Sequence, residues 1–358
     1  MNTTGFVECD DRNVAGTSLR PIHYLGNKSR YLDAIEHAID SVAPRSATAC
    51  DLFAGTAVVT RRLALRRDVI SADVQAYSSV LARALTTPRA FTSQEVDQIL
   101  GIAADWLDAA RPSTQELIDH EEQAEARAHA DPGALAELIE AGSFVLNSSR
   151  SPALESAKRR AQRYLDPEGA ALTWSYGGTY FSFRQALELD AVRHALRATS
   201  GEAPSTTATA ALLGVASDVV STVGNHFAQP VRPRRTDGTL KHGWVASVLR
   251  SRRLSVFHGF AERLAEYSRL SPATHECITT TSDYRDTLAR FGPEIGVVYA
   301  DPPYTRDHYS RFYHVLETMV LDDDPGVASA QGSSAPSRGL YREQRHQSPF
   351  SIRSQVRP

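Results

Sequence analysis

Cysteine is scarce in this chain. Only Cys9, Cys50 and Cys277 occur in 358 residues, too few and too scattered for a disulfide framework or a metal site. Lysine is nearly absent too. Lys28, Lys158 and Lys241 are the only lysines among 39 basic residues, so a lysine inside a motif stands out. No run approaches the roughly 20 apolar residues of a membrane span. Residues 1–20 are polar and lack a signal-peptide core. A cytoplasmic protein with a disordered N-terminus fits these absences. Charge of one sign is not in excess either. The net charge is −3, so attraction to a polyanion must come from a local patch.

At 358 residues the chain can hold an α/β core and a second domain. Strand candidates lie near residues 47–53, 68–72, 276–280 and 296–300. The last leads into the most informative stretch, Val297-Val298-Tyr299-Ala300-Asp301-Pro302-Pro303-Tyr304. Two prolines cannot continue a ladder, so the strand must stop there. A carboxylate, rigid carbonyls and an aromatic ring are left at the C-terminal lip of a sheet, where open α/β sheets bind ligands. Such a cluster suits a planar base with an exocyclic amine. A plain strand and turn would read the same way, so a matching cofactor site is the test.

Upstream, Cys50-Asp51-Leu52-Phe53-Ala54-Gly55-Thr56-Ala57 reads as a strand, a small-residue turn and a helix start. Gly55 lets the backbone approach a ligand closely. Ala57 stands where the usual fingerprint has a second glycine. The next strand ends in Asp73, about 20 positions on, where nucleoside folds place a carboxylate on ribose hydroxyls. A helix cap is the competing role for Asp73. Before the first strand, Tyr24-Leu25-Gly26-Asn27-Lys28 precedes an amphipathic stretch. Its ammonium is a compact charge that suits a small carboxylate.

In this order, Tyr24 to Lys28, Asp51 to Thr56, Asp73 and Asp301-Pro302-Pro303-Tyr304 resemble the Dam-type (D12 class) adenine-N6 DNA methyltransferases. The resemblance implies a Rossmann-like methyltransferase sheet with S-adenosylmethionine as cofactor. Lys28, with Tyr24 beside it, would hold the methionine carboxylate. Asp51, Phe53 and Gly55 would belong to the cofactor site, and Asp73 would accept the ribose hydroxyls. Asp283, after the strand near 276–280, would bond the cofactor adenine, with a turn or cap as its competing role. Asp301, Pro302, Pro303 and Tyr304 would be catalytic, receiving a flipped adenine from double-stranded DNA. N4-cytosine methyltransferases use similar tetrapeptides, so cytosine or RNA adenine methylation is an alternative.

Roughly 200 residues separate Asp73 from the next strand candidate, whereas a crossover needs only about a dozen. A large, mainly helical target-recognition domain is therefore expected over residues 91–269, between catalytic segments 21–90 and 270–325. Residues 116–140 are acidic and read as a solvated helix face. Arg232, Arg234, Arg235, Lys241, Arg250, Arg252 and Arg253 crowd one aromatic-bearing stretch and form the expected DNA-binding set. The cluster from Trp174 to Phe181 reads as a hairpin loop at the DNA or a packed turn. Residues 326–358 read as flexible or incomplete. Family members complete about seven strands, and only four candidates are found here. A truncated gene, an inactive remnant and one half of a split enzyme are alternatives. Strand 297–300 would then be an exposed edge needing a second chain. No metal is expected.

Overall fold

The computed structural model describes residues 19–146, 149–199, 205–222, 224, 226–303, 309–323, 326–330, 332–343, 346 and 348–351. The expected disorder of residues 1–20 falls mostly outside them. Four parallel strands make one sheet in the order β3-β2-β1-β4. They are β1 (Ala49–Leu52), β2 (Val69–Asp73), β3 (Cys277–Thr281) and β4 (Val297–Ala300). Each lies where its apolar run predicts. The chain steps outward from β1 to β2 to β3 and then returns to the far side of β1. That reversal makes the C-terminal gap between β1 and β4 the switch point where such sheets bind ligands.

Helices α1 (Leu32–Val42), α2 (Val58–Ala64) and α3 (Ala76–Thr86) precede the insertion. Ile39 of α1 and Val59 and Leu63 of α2 pack on Ala49 and Val69, with Val297 and Tyr299 beside them. Arg83 and Ser79 of α3 bond Thr279 and Thr281 of β3 on that face. The opposite face buries Cys50, Leu52, Ile70 and Ala72 against Phe291. Phe291 ends a single short helix, Tyr284–Phe291.

The insertion is helical, as expected. It comprises α4 (Ser93–Arg127), α5 (Gly133–Ala141), α6 (Pro152–Gln162), α7 (Ala171–Tyr176), α8 (Phe183–Thr199), α9 (Thr206–Val219), α10 (Val245–Arg252) and α11 (Val256–Ser268). Helix α12 (Tyr284–Phe291) follows β3, and α13 (Tyr309–Phe312) and α14 (His314–Leu321) follow β4. A capping box between Thr92 and Glu95 starts α4 where the sequence turns helical. The inserted helices divide between two cores. Residues of α8, α9 and α11 share one with Tyr77, Leu81 and Leu85 of α3 and with Val315 and Leu316 of α14. Residues of α4, α5, α6 and α10 build the other. Part of the insertion thus forms one body with the cofactor-side helices.

Three expectations need correcting or settling here. The acidic stretch is not wholly solvated. Glu121 is buried, accepts from the N–H groups of Phe183 and Arg184 at the start of α8, and pairs with Arg252. The stretch from Trp174 to Phe181 is a packed turn, with Tyr176, Tyr180 and Phe181 fully enclosed. Beyond 326, some described residues are packed and others, 332–335 among them, are exposed. Val327 bridges Arg342, Leu340 is buried, and buried Arg342 forms paired 2.7 Å bonds to Asp323.

Candidate active site

The C-terminal ends of all four strands open into one cleft. Its walls include Tyr24, Lys28, Asp51, Phe53, Gly55, Asp73, Asp283, Asp301, Pro302 and Pro303. Residues from Tyr24 to Ser348, separated by up to 324 positions, the difference between 348 and 24, thus meet at the switch point. Tyr304 lies outside the described residues.

The turn after β1 is built from left-handed backbone. Phe53, Gly55 and Ala57 have φ of 62°, 53° and 58°. Only glycine takes this region without strain. At Gly55 glycine is required twice over, because a Cβ there would lie 2.7 Å from the Tyr24 hydroxyl oxygen. Ala57 holds the strained conformation that the missing second glycine would relieve. It does so as the cap of α2, inside the core.

The Asp73 carboxylate stitches this turn to the end of β2. It accepts from the Gly55 N–H and the Gln75 N–H, both at 2.9 Å. Burial pushes its pKa up, and the Gln75 and Gly55 bonds act against that. The helix-cap function at α3 is carried by a residue the sequence does not advertise. Glu317 of α14 accepts from the N–H of Ala76 at 2.9 Å and of Tyr77 at 3.2 Å. Asp51 lies deeper, 1% exposed. Thr60 of α2 donates to it at 2.6 Å and also bonds Ser71 at 2.9 Å. Burial raises the Asp51 pKa to about 7, and the charges of Asp73 and Asp301 add to the rise.

Lys28 forms an ion pair with Asp301, joining the N-terminal motif to the tetrapeptide. Tyr24 is held by a ring stack on Tyr313, 4.6 Å between centroids and 18° between planes. The Tyr313 hydroxyl also accepts from the Leu25 N–H at 2.7 Å. Chain beyond the tetrapeptide therefore fixes the motif at the start. Asp283 caps α12 through the Arg285 N–H at 2.9 Å while also facing the cleft. Its cap role and its place on the cleft wall coexist.

The expected DNA-binding set splits. Arg252 leaves it, because its side chain is buried against Glu121 and Glu125 and donates to the Gly178 carbonyl at 2.6 Å. Arg234 is half-buried and paired with Glu140 at 3.0 Å. Arg232, Arg235, Arg250 and Arg253 are exposed, and Lys241 is half-exposed. A hairpin carries part of the set. Arg234 bridges Leu240, Lys241 N–H reaches the Pro233 carbonyl at 2.7 Å, and Gly238 turns with φ 84°. At its root, the Phe227 N–H bonds the Phe312 carbonyl at 2.8 Å, and His226 packs on the Phe312 ring.

The cleft fits S-adenosylmethionine on its own terms. A cation, Lys28, stands at one end for a carboxylate, with acceptors at Asp73 and Asp283 for hydroxyls or a base amine. The absent side chain at Gly55 lets the Tyr24 ring lie against the turn at the cleft wall. Among the described residues no group of three metal-ligating side chains occurs, and no helix is long and apolar enough to cross a membrane.

The parallel order, the glycine turn after β1 and the acidic end of β2 define a Rossmann-like methyltransferase fold with an incomplete sheet. The family model of the D12 class N6 adenine-specific DNA methyltransferases matches residues 24–162. The family's chemistry is S-adenosylmethionine-dependent DNA adenine methylation. The match covers Tyr24, Lys28, the glycine turn and Asp73 and runs on through α6. Asp283 and the tetrapeptide at 301–304 lie beyond it. No curated protein matches, and no solved structure matches.

Proposed function

We propose that this chain methylates adenine N6 in double-stranded DNA, on a base flipped out of the helix, with Asp301 as the central catalytic group. The convergence of Lys28, Gly55, Asp73 and Asp301 on one switch-point cleft carries the reading. The cofactor supplies an electrophilic methyl on a sulfonium. Lys28 and Tyr24 bind its carboxylate end, Phe53 and Gly55 line its path, and Asp73 and Asp283 take the nucleoside polar groups. Asp51 sits beneath and holds α2 through Thr60.

An exocyclic amine is a poor nucleophile because its lone pair is delocalised into the ring. The Asp301 carboxylate and the Pro302 carbonyl can accept its two hydrogens. Electron density then concentrates on nitrogen, and the proline rings keep the acceptors from swinging away. The benefit is positioning with preorganised electrostatics. Lys28 now holds Asp301. A ligand carboxylate that takes the ammonium leaves Asp301 free to accept from the amine. Tyr304 stacks on the flipped base, offsetting part of an unstacking cost of a few kcal/mol.

The basic hairpin contributes phosphate contacts through Arg232, Arg235 and Lys241, with Arg250 and Arg253 nearby in sequence. Its root is tied to Phe312, which follows the tetrapeptide in the chain. Arg235→Ala should lower the slope of log affinity against log salt by about one. An unchanged slope would move the DNA surface elsewhere. A second chain pairs with the outer edge of β4, which has no strand neighbour among the described residues. The biological setting is restriction–modification or phage defence, in the cytoplasm.

The test is transfer of labelled methyl from S-adenosylmethionine to unmethylated genomic DNA, followed by nucleoside analysis. Label in N6-methyladenine is expected. Label in N4-methylcytosine would reassign the base. No transfer by a folded chain would support an inactive remnant or the need for the second chain.

A further inference from the structure

The cleft is graded along its length. A cation stands at the Lys28 end and a half-buried carboxylate, Asp73, in the middle. At the far end the rings of Phe53 and Tyr284 meet, with centroids 5.7 Å apart and planes tilted by 40°. A cofactor with an ionic tail, a sugar and a purine would be read in that order, since the purine is the part an aromatic end suits. The ring end has a third member that none of the motifs contains. Phe350 meets Phe53 edge-on at 5.6 Å and Tyr284 at 5.3 Å. His346 and Ser348 of the same segment line the cleft. The charge of His346 also reaches Asp73 and favours its ionised form.

We propose that Phe350 is a positioning residue for cofactor binding, completing a three-ring cluster that holds Phe53 and Tyr284 against the purine of S-adenosylmethionine. The inference rests on the cofactor reading above. Phe53 needs such support. Its backbone is in the left-handed region, φ 62°, which an aromatic residue occupies only when its surroundings hold it there. Tyr284 is the first residue of α12, and its neighbour Asp283 caps that helix. Fixing the Tyr284 ring therefore also steadies the Asp283 carboxylate at the cleft wall. His346 acts on Asp73 while Phe350 meets Phe53 and Tyr284, so described residues of this stretch reach both the middle and the aromatic end. Its sequence hides this, because a single phenylalanine in a polar, serine-containing stretch carries no periodic signal.

The experiment uses the full chain and S-adenosylhomocysteine as the probe, with dissociation constants from calorimetry and melting temperatures on the same samples. Phe350→Ala should weaken binding about three- to ten-fold, the size of one aromatic pair. Phe350→Tyr, which keeps the ring, should bind within about two-fold of the native chain. Melting temperatures should be nearly unchanged, since Phe350 is only half-buried at the periphery. Affinity that is equal or tighter in Phe350→Ala would overturn the proposal, tighter binding marking the segment as a plug. Loss in both variants with a matching fall in melting temperature would also overturn it, as a purely structural effect. If the native chain failed to bind the probe, the cofactor reading itself would fall and take this inference with it. The native control separates that case from failure of the ring cluster alone.

Discussion

Ile70 and Val298 flank the same residue. Both are in register with Cys50, Ile70 from β2 and Val298 from β4, so both face the same side of the sheet. Ile70 is 1% exposed and Val298 is 43% exposed. The difference divides the site. Toward β2 the sheet is covered, the acids are buried and bonded, and the glycine turn is tied to Asp73. Toward β4 the strand has one neighbour among the described residues and an open face, and Asp301 is held by prolines and by Lys28. The cofactor side is completed by this chain's own packing. With Val298 exposed, β4 presents apolar surface of the kind that proteins pair or cover.

The strongest way to break this comparison is the same substitution at both positions. Ile70→Lys should cost more than about 4 kcal/mol and unfold the domain, because it buries an unpaired ammonium. Val298→Lys should change the stability of the isolated chain by less than about 1 kcal/mol. Urea titration reads both. If Val298→Lys also dissociates a dimer or a complex seen by light scattering, the β4 edge is where the second chain pairs. Equal, large losses would show that the two flanks are alike.

A titration sharpens the buried side. The Asp51 carboxyl is held at about 7 by burial, above its ordinary 3.8. A folded pKa raised in this way contributes stability that is complete below about 3.8 and is lost as pH rises to about 7. Asp51→Asn keeps an acceptor for Thr60 and does not titrate. The variant should lose less stability across that window and be more stable than the native chain at pH 8, by roughly 1–3 kcal/mol. An unchanged pH profile would remove Asp51 as its source.

The smallest effect is expected at Ala57. Left-handed backbone costs a non-glycine residue about 1–2 kcal/mol, while glycine loses more entropy on folding. Ala57→Gly should therefore alter stability by no more than about 1 kcal/mol, with a gain the expected sign. A loss beyond about 2 kcal/mol would mean that the methyl group's packing outweighs the strain.

What the sequence reveals follows from how local each signal is. All four strands are legible because each is a short apolar run ended by a turn residue or a proline. That Lys28, Gly55, Asp73 and Asp301 meet in one cleft is legible because each sits in a short motif at a strand end or helix start. Partnerships across the chain are not. Arg252 looks like its exposed neighbours in composition, and only the fold brings Glu121 to it, 131 positions away. Tyr313 and Glu317 brace the cleft from the segment after the tetrapeptide, and Phe350 does so from the stretch 326–358, whose composition suggested looseness. Their contacts to Tyr24, Ala76 and Phe53 span most of the chain. The exposure of Val298 is a property of sheet order, which a strand's own residues do not encode.

The central claim is that Asp301 activates the target amine in this cleft. Its most direct test is the rate of labelled methyl transfer to DNA by Asp301→Ala, relative to the native chain, at saturating cofactor. The account predicts a fall of at least about 100-fold, with transfer to adenine N6 by the native chain. Transfer by the variant at a near-native rate would contradict it.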